Sequence, residues 1–289
     1  KQAGYYDPKT GTFTLIDTCV GTHHLQFAED ANNTLFFSSP GGPGVGWLNT
    51  KLYDQTGDER IANGWCPLVL DTNGDGKITK PWNEPPQDRS GPLSEDTSGG
   101  GGAEGPARAA TFNPKLDTRI HIGSYGIIVN PVDGSFWAAT DEVVPPGQIF
   151  RVSLGSNPPE TCITERYMIP QEKGYRPRGI DVGRDGVIWT ALAGSSEFAS
   201  FDRRKCKTLN GPSSQNGRHC DEGWTFYPMP GPSYKGTNIG ADFHYYDWVD
   251  QFNVLGFGPN TPIANGSGSD SLLVLKPDTH EWVVLRVPY

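Results

Sequence analysis

Three features of the sequence predict an all-β chain built as a radial array of four-stranded antiparallel blades. The first is the stretch Pro177-Arg-Gly-Ile-Asp-Val-Gly-Arg-Asp-Gly-Val-Ile-Trp-Thr-Ala, where Ile180 and Val182 alternate with Asp181 and Gly183. That is the period of a half-buried strand. Asp185-Gly186 supplies a hairpin turn, since glycine accepts positive φ at no steric cost. Residues 187–191, 198–202 and 225–229 complete a four-stranded meander. The second feature is recurrence. Tyr125-Gly-Ile-Ile-Val-Asn-Pro-Val-Asp-Gly-Ser-Phe-Trp-Ala-Ala repeats the opening, with Ile127, Val129, Asp133-Gly134 and Trp137 in the places of Ile180, Val182, Asp185-Gly186 and Trp189. The third is spacing: the unit returns about every fifty residues, as propeller blades do. One four-stranded sheet cannot bury both its faces, and radial stacking solves this for every copy. The predicted fold is therefore a β-propeller.

Taken in order, residues 1–18 read as a strand, an Asp-Pro-x-x-Gly turn and another strand, matching the outer half of a blade. Residues 19–70 hold a blade. Its hairpin is His23-His-Leu-Gln-Phe followed by Thr34-Leu-Phe-Phe, its third strand Gly46-Trp-Leu-Asn-Thr-Lys-Leu-Tyr-Asp and its fourth Cys66-Pro-Leu-Val-Leu-Asp. Residues 71–118 carry Pro81, Pro85, Pro86, Pro92, the run Gly99-Gly-Gly-Gly, Pro106 and Pro114, with almost no periodic apolar pattern. This reads as one long inserted loop in a single domain. Blades follow at 120–170, 175–230 and 236–289, with excursions at 207–222 and 256–270. The count is about four and a half blades. Further blade sequence is expected before Lys1 and after Tyr289, or in another chain, making a ring of six or seven.

The 289 residues carry a net charge of −9 and no basic stripe, which argues against a nucleic-acid partner. No apolar run approaches the ~20 residues that span a bilayer. Five cysteines occur, at 19, 66, 162, 206 and 220, with no metal-finger spacing. Cys206 and Cys220 flank one polar loop and are expected to form a disulfide. With the sequons Asn32-Asn-Thr and Asn265-Gly-Ser, this points to a secreted or periplasmic location.

Two constellations carry chemistry. Asp71-Thr-Asn-Gly-Asp-Gly-Lys-Ile-Thr sets oxygen side chains at loop positions 1, 3 and 5, glycine at 6 and an apolar residue at 8, the Ca²⁺-loop pattern. Asp71, Asn73, Asp75 and the Lys77 carbonyl are the expected ligands. Trp82 occupies the twelfth position in place of the usual Glu, with Glu84 nearby as a substitute. The other reading is an Asx-rich turn tied by its own hydrogen bonds. The second constellation is positional. Aligning the blades puts His23, Tyr125 and Arg178 just before the innermost strand, facing the mouth of the central channel. His24 and Arg176 adjoin it, and His121 and His244 lie near the corresponding points of their blades. Convergent polar groups at an axial mouth are a default ligand site. They serve equally as a hydrogen-bonded channel lining. No phosphate loop, G-x-S-x-G elbow or H-E-x-x-H is present. Trp137, Trp189 and Phe36 read as blade core.

The pattern P-x-G-I-x-V-x-x-D-G-x-I-W-T at Pro177 to Thr190, with Ile127 to Trp137, Tyr6 to Leu15 and Phe226 to Pro230, resembles the streptogramin B lyase-like (virginiamycin B lyase-like) propellers, which are similar to lactonase and NHL propellers. The resemblance covers most of the chain outside 71–118. It implies a metal-assisted opening of a cyclic ester by His and Glu near the channel, although this sequence has no Glu-x-His pair for those roles. Two readings follow. One is a lyase or lactone/ester hydrolase on a small cyclic or carbohydrate-like substrate. There His23, His24 and His244 would lie beside a divalent metal or act as base, with Tyr125 and Arg178 at the same mouth. The other is a non-catalytic secreted or periplasmic propeller that binds a protein or other partner through its long loops.

Overall fold

The computed structural model describes residues 3–42, 44–84, 112–238 and 240–288. A hairpin, β1 (Ala3–Asp7) with β2 (Thr12–Ile16), precedes four blades. Blade one is β3 (Leu25–Phe27), β4 (Thr34–Phe37), β5 (Gly44–Asn49) and β6 (Asn63–Pro67). Next come two short strands, β7 (Val69–Leu70) and β8 (Thr118–Arg119). Blade two is β9 (Ile127–Val129), β10 (Phe136–Ala139), β11 (Gln148–Ser153) and β12 (Ile163–Met168). Blade three is β13 (Pro177–Val182), β14 (Ile188–Leu192), β15 (Glu197–Phe201) and β16 (Trp224–Pro228). Blade four is β17 (Asp247–Asp250), β18 (Thr261–Gly266), β19 (Ser271–Leu275) and β20 (Trp282–Arg286). Neighbours within each blade pair antiparallel in chain order. The all-β propeller expected from the repeat is the fold observed.

Period-two alternation feeds two interfaces from one strand. In blade two, Ile127, Val129, Phe136 and Ala138 face blade one, while Ile128, Trp137 and Ala139 face blade three. Phe36 of blade one meets Phe136 with ring centroids 5.5 Å apart. Tyr167 of blade two meets Phe201 of blade three at 4.4 Å, and Phe198 meets Trp282 of blade four at 6.0 Å. Trp137, Trp189 and Phe36 are core, as their place in the repeat predicts. The hairpin packs Ala3 and Ile16 against Phe37, Leu48 and Ala62 of blade one.

Three expectations need correction. The third strand of blade one ends at Asn49, where the sequence reading carried it on to Asp54. Residues Thr50–Thr56 form a helix, α1, because the Asn49 side chain accepts from the Leu52 amide at 2.9 Å and Gly57 closes the far end at φ 63°. A second, single-turn helix, α2 (Glu59–Ala62), leads into β6. The stretch read as one fourth strand, 66–71, is split. β6 ends at Pro67, which has no amide to donate, and β7 crosses to pair in parallel with the outer strand of blade two, Leu70 opposite Thr164. In blade four, residues 256–270 are no excursion, because β18 lies inside them. The Asp250 carboxylate caps the Val254 and Leu255 amides and closes the preceding turn by Asn260. Of the 71–118 insertion, residues 85–111, with Pro85, Pro86, Pro92, the glycine run and Pro106, lie outside the described residues.

Disulfides join Cys206 to Cys220, as expected from the loop they flank, and Cys66 to Cys162, which the sequence did not single out. Cys19 is free and exposed. Two bridges fit an oxidising, non-cytoplasmic compartment. No described helix is long and apolar enough to cross a membrane.

Candidate functional site

All four blades deliver polar groups to the same place. His23 and His24 come just before β3, Tyr125 just before β9, Arg178 from β13, and Tyr245 and Tyr246 from the segment leading into β17. The rings of His23 and His24 stack at 4.4 Å, and Tyr125 lies 4.9 and 4.8 Å from them. Arg178 is only 6% exposed. Its guanidinium carbon sits 4.4 Å from the ring centre of Tyr125 and 3.8 Å from that of Tyr245, a cation between two π faces. Arg178 Nη2 donates to the Tyr125 hydroxyl at 2.5 Å and Nη1 to Asp141 Oδ2 at 2.9 Å. Arg176 Nε donates to the other Asp141 oxygen at 2.9 Å. Asp141 and Arg176 both hold positive φ, 54° and 60°, costly for non-glycine residues and common where function fixes the backbone.

These contacts form a row of hydrogen bonds across the axis. Tyr125 Oη lies 3.3 Å from Tyr246 Oη, which lies 3.4 Å from His24 Nε2. Arg178 can only donate, so the Tyr125 oxygen accepts from it, while Tyr246 and His24 Nε2 can each donate or accept farther along the row. Burial lowers the His24 pKa below its usual 6.5, and the neighbouring His23 and Arg178 charges lower it further. The ring is therefore a neutral base at pH 7. Burial also raises the Tyr125 pKa, as does its bond to Tyr246, so the phenol keeps its proton.

The positional alignment thus located His23, His24, Tyr125 and Arg178 together. His244 stands apart. It is fully buried, its Nδ1 lies 2.9 Å from the Asn265 carbonyl, and its ring lies between Phe198 and Trp282. Burial pushes its pKa down to about 4. It belongs to the wall between blades three and four, because the strand starts at Asp247 and the mouth position falls on Tyr246. His121 neighbours Arg119 and Glu84 beside β8. Sequence reasoning missed Tyr245, Tyr246, Asp141 and Asn265. The Asn265 Oδ1 accepts from both the Tyr245 and Tyr246 amides at 2.8 Å, so this sequon asparagine positions the tyrosines.

Loop 71–79 folds as an Asx-rich turn. Asp71 Oδ1 accepts from the Gly74 and Asp75 amides and Oδ2 from Gly76. Asn73 accepts from Asp75, and Asp75 from the Lys77 amide. Glu84, the expected substitute ligand, is engaged by Trp82 Nε1 at 2.8 Å and Arg119 Nε at 2.6 Å. Among the described residues no three His, Cys, Asp or Glu side chains already converge as a metal cage. At the mouth the donor set suits a divalent metal poorly. Its one carboxylate, Asp141, is spent on two arginines, and the Arg178 charge that disfavours a protonated His24 also disfavours a dication.

No protein-family model matches the chain, and no curated protein matches it in sequence. Solved structures do match at low identity. A streptogramin B lyase is 13% identical over 99% of this chain and 62% of its own, with a TM-score of 0.48. A catalytically inactive virginiamycin B lyase from Staphylococcus aureus with quinupristin is 10% identical over 99% and 63%, with a TM-score of 0.50. A chain of a nidogen/laminin complex is 11% identical over 98% and 71%, with a TM-score of 0.44. The chain spans 62–63% of the length of the two lyases. Likeness at this level is one of fold.

Proposed function

We propose that the axial mouth is the active centre of a lyase or lactone/ester hydrolase acting on a small cyclic or carbohydrate-like ester. The carrying observation is the row from Arg178 to His24, a cation at one end and a neutral base at the other. In elimination, a C–H proton beside a carbonyl passes to His24 Nε2, directly or through the Tyr246 hydroxyl. Its electron pair forms a carbon–carbon double bond and the ester carboxylate departs. In hydrolysis the proton comes from water instead, whose oxygen bonds to the carbonyl carbon as the acyl C–O bond breaks, and the departing alkoxide takes the proton back from His24. The Arg178 charge would favour negative charge developing on the carbonyl oxygen of a substrate at the mouth. The tyrosine faces suit a ring-shaped substrate.

Opening of D-glucono-1,5-lactone and of quinupristin by the purified chain tests the reading. Activity is expected to persist below pH 6.5, because the base is His24 with its lowered pKa. His24→Ala should abolish it, and Arg178→Lys should reduce it by at least about a hundredfold. No turnover of either compound by the unaltered chain, or full turnover by His24→Ala, would remove the assignment.

One observation favours a second reading, a propeller that docks a protein. Phe252 and Val254 stand 72% and 83% exposed on the β17–β18 turn, with Leu255 beside them. A Phe252→Ser, Val254→Ser variant that keeps all lactone activity but loses association with a partner would favour that reading.

A further inference from the structure

Asp141 joins a second cation to the mouth. Its two carboxylate oxygens accept from two different arginines, Arg176 Nε and Arg178 Nη1, each at 2.9 Å. Two positive charges are therefore set against one negative charge, in a chain whose net charge is −9. Neighbouring acids do little to restore the balance. The Glu142 carboxyl, next in sequence, accepts from the Thr140 hydroxyl and from Gln148 Nε2, and burial disfavours its charge. Asp247, one residue beyond Tyr246, is buried and held well above its ordinary pKa for the same reason. The two arginines differ in access. The Arg178 side chain is 8% exposed and closed in by the Tyr125 and Tyr245 rings, whereas that of Arg176 is 34% exposed. Nη1 and Nη2 of Arg176 make no hydrogen bond to any described residue. Its backbone, by contrast, is fixed. The Arg176 carbonyl accepts from the Ala193 amide at 2.9 Å, and a Cβ on Gly147 would lie 2.9 Å from the Arg176 nitrogen. The fold thus holds a left-handed residue in place and leaves the charged end of its side chain open.

We propose that the mouth takes an anionic substrate, a sugar lactone or ester that bears a carboxylate, and that Arg176 binds this carboxylate. The inference rests on the mouth being the substrate site. With Nε held by Asp141, the outward N–H bonds of Nη1 and Nη2 run parallel and match the two oxygens of a planar carboxylate. A carboxylate there supplies the one negative charge that the two arginines lack. Asp141 is then a positioning residue, because it fixes Arg176 relative to Arg178. His24 lies at one end of the row and Arg176 beyond the other, so the bound carboxylate sits away from the base and the reacting carbonyl falls between them. An uncharged sugar of the same shape leaves the Arg176 fork without an acceptor and forfeits the contact.

Matched pairs of ligands isolate the carboxylate. D-Glucuronate and D-glucose differ only at the last carbon, as do D-glucaro-1,4-lactone and D-glucono-1,4-lactone, a carboxylate in one and a hydroxymethyl group in the other. Calorimetric titration of the full chain should show D-glucuronate binding at least about tenfold more tightly than D-glucose, the range of a charge-assisted hydrogen-bonded pair. Arg176→Gln should remove this preference, and Arg176→Lys, which keeps the charge, should retain part of it. In turnover, the KM of D-glucaro-1,4-lactone should lie at least about tenfold below that of D-glucono-1,4-lactone. Arg176→Gln should bring the two together, the loss falling on KM more than on kcat, since the carboxylate is held before the reaction as well as during it. Equal binding of D-glucuronate and D-glucose by the unaltered chain overturns the proposal, and this comparison decides it even if Arg176→Gln does not fold. An unchanged preference in Arg176→Gln overturns it as well. A preference for D-glucuronate without opening of either lactone would remove the reaction and keep the carboxylate site. Opening of both lactones with one KM would keep the reaction and overturn the site.

Discussion

Substituting Asp181 by asparagine probes the charge buried between blades three and four. Asp181 Oδ1 accepts from the Val182 amide at 2.8 Å and Oδ2 from Val249 at 2.7 Å. Behind it stands Asp247, buried, with both carboxylate oxygens unpartnered. β13 comes so close that a Cβ at Gly179 would lie 2.2 Å from Asp247 Oδ1. Burial pushes Asp181 up to about 6 from 3.8. Burial, and then the Asp181 charge, hold Asp247 well above its ordinary value. Below pH 3.8 folded and unfolded chains both carry the Asp181 proton, so its charge costs nothing. As pH rises the unfolded chain releases the proton first, and stability falls until the folded carboxyl ionises near pH 6. Between pH 4 and 7.5 this amounts to about 2.5 kcal/mol. Asp181→Asn also loses an acceptor for one amide, but that cost is the same at every pH. Urea unfolding followed by tryptophan fluorescence should therefore show the variant gaining about 2.5 kcal/mol on the unaltered chain between pH 4 and 7.5. Parallel stability profiles for the two proteins would refute the reasoning.

Removing Cys66–Cys162, which closes a loop of 96 residues, should cost about 4.5 kcal/mol, against about 3 kcal/mol for Cys206–Cys220 with its separation of 14. Calorimetric melting of the two double-serine variants checks the order, and a larger loss from the shorter loop would contradict it. Asn49→Ala should destabilise α1 by about 1 kcal/mol, read as a shift in the urea midpoint with an unchanged slope. Asn265→Ala releases the Tyr245 and Tyr246 amides. It should impair lactone turnover while Asn265→Asp, which keeps the acceptor, largely restores it; equal activity in both would show that the tyrosines need no such support.

The first three blades were legible because their inner hairpins spell the same alternation. Ile127 with Val129 and Ile180 with Val182 point at packed neighbours, and that periodicity survives without any knowledge of the neighbours. The mouth was partly legible for the same reason, since His23, Tyr125 and Arg178 occupy one place in the repeat. His244 was misplaced by two residues because blade four lacks a clear hairpin signature. β18 reads Thr261-Pro-Ile-Ala-Asn-Gly, and its burial comes from both flanking strands and not from its own pattern. Asp141 and Asn265 could not be read from spacing, because each acts on residues 19 to 37 positions away through contacts that only the folded sheets create. The α1 helix is a local matter: Asn49 and Gly57 are a legible cap pair, overridden in the sequence reading by the apolar run before them.

The Cys66–Cys162 bond ties the outer strand of blade one to that of blade two, and β7 crosses the same seam. Under tension applied at the chain ends, everything between the two cysteines is bypassed by a covalent shortcut. With 96 residues enclosed, roughly 330 Å of extensible contour stays hidden until the bond is reduced. Blades three and four and the N-terminal hairpin can be drawn out one after another, while most of blade two and the 71–118 insertion carry no load. The molecule is thus mechanically graded, with a force-shielded region beside the axial histidines and extensible blades on its C-terminal side.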